Sequence, residues 1–214
     1  MIHVITPFSR PENAATLLRH LDTQGVAVTW HPLVSSVPLP AGCEREWVNP
    51  LSVNVPDGAD PFCYKLRAFV ESGRIRDGER YCVLNDDDLY GDGVLAAVDA
   101  MPERIVIVGM LRGLRTPAYV ANGHYHPTGT LMARPDLMHV GGIGVEQYFV
   151  MGEIFRHADF PLDRANVCDG LVAEWLAATY PDDIRYEPEL YVLFNRLEPG
   201  RWAVDYEDTR LYAA

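Results

Sequence analysis

The hydrophobic pattern begins with a short strand, His3 to Thr6, followed at once by an amphipathic helix. Ser9 stands at a capping position with Glu12 three residues on, and Pro11 falls in the first turn, where a missing N–H leaves no bond unmade. Ala14, Leu17, Leu18 and Leu21 give that helix one apolar face. Gly25 ends it, and "VAVTW" reads as the second strand. From His31 to Pro61 prolines interrupt any period, so the stretch reads as a long loop with one short strand at Leu51 to Val55. A helix starts after Asp60, with Pro61 at its first position, and runs through "FCYKLRAFVESG". "YCVL" is the next strand, "DGVLAAVDAM" a short helix capped by Asp92, and "RIVIVGM" a buried strand.

The second half reads differently. Asn122-Gly123 in "YVANGHYH" is a hairpin signal, and "TGTLMA" is a further strand. Helices are predicted over Val145 to His157 and Asn166 to Tyr180, then two late strands in "DIRYEP" and "LYVLFN". Alternating strand and helix predicts an α/β fold with a mixed, mostly parallel central sheet flanked by helices. The 214 residues suit one domain.

Composition narrows the class. At 48% hydrophobic the chain can fill a continuous core, which excludes a disordered or collagen-like protein. No apolar run reaches the roughly 18 residues of a membrane span. "MIHVITPFSR" has no basic n-region, so no secretory signal is read there. Cys43, Cys63, Cys82 and Cys168 form no C-x-x-C pair, and a reducing, cytoplasmic setting is expected. A net charge of −12 disfavours nucleic acid as the main partner, because that affinity rests on Lys and Arg.

The candidate chemistry lies in "YCVLNDDDLYGDG". Three consecutive acids follow a buried strand, at the end where open α/β sheets bind ligands. Side-by-side like charges need compensation. Either they form a solvated turn ahead of the next helix, or they hold a hard cation. Alternation at a strand end lets Asp86 and Asp88 share Mg²⁺ or Mn²⁺, with phosphate oxygens completing the shell. Asp87, between them, is read as turned toward the loop.

This segment resembles the D-x-D segment of GT-A fold glycosyltransferases, those of glycosyltransferase family 2 in particular. Three further segments are similar in order and spacing. They are "HVITPFSRPENAATLLRHL", "KLRAFVESGRIRDGERYCVLNDDD" and "ANVCDGLVAEWLAATYPDDIRYEPEL". The resemblance implies a single GT-A domain over 1–214. Residues 1–110 would bind the nucleotide sugar, 111–197 the acceptor, and 198–214 would be a tail. It implies a metal-dependent transfer of a sugar from a UDP- or GDP-type donor to an acceptor hydroxyl, with inversion. Thr6, Pro7 and Phe8 would line the nucleobase and ribose pocket. Arg10, and Lys65 or Arg67, would reach the nucleotide. Asp86 and Asp87 belong to the same nucleotide-sugar group, with Asp86 on the ribose or metal. Asp88 would ligate Mn²⁺ or Mg²⁺, and Asp169 would be the general base, with Glu146 and Glu153 as alternatives.

The sequence departs from the family in three places. "NVC" precedes Asp169 where many relatives carry a Glu-Asp pair. Trp30 and His31 stand where the second strand commonly ends in an acid that holds uracil. No His follows Asp169. Two other readings stay open: a sugar-nucleotide nucleotidyltransferase and an inactive sugar-nucleotide-binding relative. "TPFSRPENA" has no glycine, which counts against the first.

Overall fold

A computed structural model describes residues 1–112, 130–131, 133–161, 167–194 and 196–197. Among the described residues nine strands form one sheet: β1 (Ile2–Pro7), β2 (Val28–Val34), β3 (Leu51–Ser52), β4 (Arg80–Val83), β5 (Leu89–Tyr90), β6 (Ile105–Arg112), β7 (Thr130–Leu131), β8 (Tyr148–Met151) and β9 (Ile184–Phe194). The order is β3-β2-β1-β4-β8-β6-β9-β5, with β7 paired to β6. The β1–β2, β1–β4, β2–β3 and β6–β9 pairs are parallel, while β8 runs antiparallel to both β4 and β6.

Strand alternation sends side chains to two cores. Ile5, Tyr81, Val83 and Ile107 face one way, toward α2 (Pro61–Glu71), α4 (Gly152–Phe155) and α5 (Cys168–Thr179). Val4, Trp30, Cys82 and Val106 face the other, toward α1 (Ala14–Asp22) and α3 (Val94–Asp99). Helices therefore flank both faces, as a mostly parallel sheet requires.

Several elements differ from the sequence reading. The second strand continues through His31 and Pro32 to Val34. Pro32 is tolerated because the backbone of even-numbered positions in β2 points away from β1: Trp30 and Val34 bond outward to Trp47, Asn49 and Val53. Ser9 caps nothing, for its hydroxyl bonds Asp86 instead, and a 3₁₀ turn at Pro11–Asn13 precedes α1. Gly93 at φ 70°, not Asp92, precedes α3. Where one helix was expected over Val145 to His157, a 3₁₀ turn (Val145–Gln147) leads into β8 and then α4. "YFVM" is too short an apolar run for periodicity to decide, and pairing on both edges makes it a strand. The two expected late strands are one, β9, with a register shift where Glu187 pairs Val108 and Tyr191 pairs Gly109. The Asn122-Gly123 hairpin and the tail from Glu198 lie outside the described residues.

α2 forms as read. Asp60 accepts from the Phe62 and Cys63 N–H groups, and Pro61 opens the helix. Among the described residues no helix is long and apolar enough to cross a membrane.

Candidate active site

In sequence order the strands spread from β1 to β2 and β3 on one side, then return to β4 on the other. The reversal leaves a crevice beyond the carboxyl ends of β1 and β4, where such sheets bind ligands. A cleft of about 390 Å³ lies there. It is lined by Pro7, Phe8, Ser9, Arg10, Ser35, Ser36, Val37, Pro61, Phe62, Lys65, Asn85, Asp86, Asp87 and Phe194.

Asp86 organises the loop after β1. Its Oδ2 accepts from the Ser9 N–H (2.5 Å), the Ser9 hydroxyl (2.8 Å) and the Arg10 N–H (2.7 Å). Its Oδ1 accepts from Arg10 Nη1 at 2.5 Å, and its main-chain carbonyl from Asn13 Nδ2 at 2.9 Å. The carboxylate is 2% exposed, so these donors replace its hydration. Arg10 Nη2 reaches Asp87 Oδ2 at 3.3 Å.

Lys65 braces the same loop from α2. Its buried ammonium donates to the Phe8 carbonyl at 2.6 Å. Burial lowers its pKa, and the Asp86 charge opposes that. Arg67, two residues on, points to solvent and pairs with Glu71 at 3.0 Å. The Phe8 ring is turned into the core against Trp30, a T-shaped contact at 6.2 Å, leaving Phe8 as the cleft's floor. Thr6 is fully buried and does not line the cleft; its hydroxyl accepts from Trp30 Nε1 at 2.9 Å. Trp30 and His31 are core residues.

The structure thus brings Pro7, Phe8, Arg10, Lys65, Asp86 and Asp87 to one cleft, and leaves Thr6, Arg67 and Asp88 outside it. Asp88 is fully buried. Its N–H bonds the Asn85 carbonyl at 3.2 Å, a turn that ends strand alternation. Its charge is felt at buried Tyr90, whose phenol pKa is raised chiefly by burial, with smaller pushes from Cys82, Glu146 and Asp88. Asp86 and Asp88 therefore do not converge on the cleft, and the Asp86 oxygens are met by four donors from Ser9 and Arg10. These residues do not fit a divalent ion shared between them. Among the described residues no group of three His, Cys, Asp or Glu side chains is arranged to hold a metal.

The three candidate bases separate by the direction of β8. Glu153 lies beyond its far end, where it accepts from the Gly78 N–H and pairs with Arg104, away from the cleft. Glu146 precedes β8 at the cleft end, is 3% exposed, and accepts from Asn85 Nδ2. Asp169, partly exposed, sits in the first turn of α5. Its carbonyl accepts from the Tyr148 hydroxyl at 3.4 Å, and neighbouring Cys168 touches Cys63 of α2. Asp169 thus stands at the same end of the sheet as the cleft, beside the helix that supplies Pro61, Phe62 and Lys65, but does not line the cleft itself.

Ser9, Ser35, Ser36, Val37, Pro61, Phe62, Asn85 and Phe194 line the cleft, although the sequence does not mark them as site residues. Asp60-Pro61 marked the start of α2, so Phe62 was within reach of that signal. Phe194 arrives from a distant strand, and no local pattern announces it.

No family model matches the chain, and no curated protein matches it. Among solved structures it is similar to S. aureus TarS, at 14% identity and a TM-score of 0.51, over 89% of this chain and 36% of that protein. It also aligns with galactosyltransferase LgtC in complex with donor and acceptor sugar analogues, at 13% identity and a TM-score of 0.41, over 87% of this chain and 67% of that one. The chain spans little more than a third of TarS. The likeness to TarS shows the fold, a single mostly parallel sheet flanked by helices, and leaves the chemistry to the cleft.

Proposed function

We propose that this chain moves a sugar from a nucleotide-diphosphate donor of UDP or GDP type to an acceptor hydroxyl. The observation that carries the reading is convergence. The loop after β1, the first turns of α2 and the acids after β4 are separate in sequence, and they meet at the switch point of the sheet.

The cleft has the parts such a donor needs. Pro7, Pro61, Phe62 and Phe194 offer apolar walls for a base and ribose, with the exposed Ser35 and Ser36 hydroxyls beside them. Arg10 offers a guanidinium suited to a diphosphate. Asp169 is the proposed base. It stays partly exposed at the cleft end, whereas Glu146 is buried and Glu153 lies at the other end of β8. A carboxylate that takes the acceptor's proton serves direct displacement, and displacement inverts the anomeric centre.

The test is thermal denaturation with a panel of nucleoside diphosphates. UDP or GDP should raise the midpoint, because a ligand that binds only the folded state stabilises it. A flat response to every nucleotide would sink the reading.

A further inference from the structure

The acids after β4 already have a cation, and it belongs to the chain. We infer that Arg10 stands where a divalent ion would otherwise sit, and that the cleft takes up the donor's diphosphate through this guanidinium without needing a metal. The inference rests on the nucleotide-donor reading above and names what meets the donor's charge.

The guanidinium bridges the acids that line the cleft, with Nη1 at 2.5 Å from Asp86 Oδ1 and Nη2 at 3.3 Å from Asp87 Oδ2. The Arg10 main-chain N–H also bonds Asp86, at 2.7 Å to Oδ2. One carboxylate thus holds both the backbone and the side chain of the same residue. With the loop fixed by Ser9 as well, little further freedom is lost in placing the guanidinium.

Charge points the same way. Of the ionisable groups that line the cleft, Arg10 and Lys65 balance Asp86 and Asp87. Asp88, the acid that makes the motif look like a bare cation trap, is fully buried and lines none of it. A divalent ion on Asp86 would have to displace the Ser9 and Arg10 donors from a carboxylate that is 2% exposed. Arg10 itself is 41% exposed and faces the cleft. A guanidinium there can meet a phosphate with its planar fork, which an ammonium cannot.

Isothermal titration of UDP and GDP into the intact chain tests this, each in EDTA and in excess MnCl₂. The wild-type affinity should agree between the two conditions within about twofold, well inside the tenfold that corresponds to about 1.4 kcal/mol. Arg10→Gln should weaken binding in EDTA by roughly tenfold or more, with Arg10→Lys between the two. Binding that tightens roughly tenfold with Mn²⁺ in the wild type would overturn the inference and leave the transferase reading standing. So would a folded Arg10→Gln that binds like wild type in EDTA. No nucleotide binding in either condition would overturn both.

Discussion

Lys65 and Arg67 lie two positions apart on α2, yet only Lys65 reaches the site, because a helix turns neighbouring positions to different faces. Lys65→Met leaves the Phe8 carbonyl without its buried donor and should cost on the order of 1–3 kcal/mol in urea unfolding. Arg67→Ala should leave the midpoint unchanged, since its partner Glu71 is even more exposed than Arg67 itself. Equal effects from the two would show that the buried contact is not what matters. Alternation selected Asp86 and Asp88 as partners, which holds only while the chain stays extended. β4 stops at Val83, and the turn closed by the Asp88 N–H on Asn85 puts Asp86 and Asp87 on the cleft instead. What Asp86 does there was not legible, because the donors that meet it come from a loop more than seventy residues earlier.

Among the elements, those with chemical punctuation were legible. Asp60 and Pro61 announced α2, and the apolar face of α1 announced its body. β8 was not, because its four residues carry no period and are a strand only through β4 and β6 on either side. α5 was legible as a helix, but its docking was not. A Cβ at Gly170 would come within 2.3 Å of Val140 Cα and 2.8 Å of its nitrogen, so the helix start is seated directly on that loop. Gly170→Ala should therefore push the first turn, and Asp169 with it, off its seat. The expected loss is about 1–3 kcal/mol of stability. Sugar transfer should slow while UDP or GDP affinity holds, because the donor cleft is lined by other elements. A parallel fall in nucleotide affinity would contradict that division.

For the whole molecule, pH reports the buried histidines. Burial depresses His20 to about 4 and, with a smaller push from His3, His31 to about 3. His3 is lowered too, mainly by burial and against the pull of Glu79, 2.7 Å away. Their folded pKa values lie below the unfolded value near 6.5, so between the two the unfolded chain binds more protons. Their contribution is fully present above about pH 6.5 and is lost as pH falls toward about 4 and 3. Urea unfolding between neutral pH and about pH 4 should show a falling midpoint, and His20→Gln should flatten part of that slope. A midpoint that rises on acidification would contradict the buried, neutral histidines.

A crystal structure with whichever of UDP or GDP raises the melting midpoint tests the proposed donor site most directly. The diphosphate is expected within hydrogen-bonding distance of Arg10, with the base between Phe62 and the Ser35–Val37 loop. A nucleotide seated elsewhere on the molecule, with this cleft empty, would contradict it.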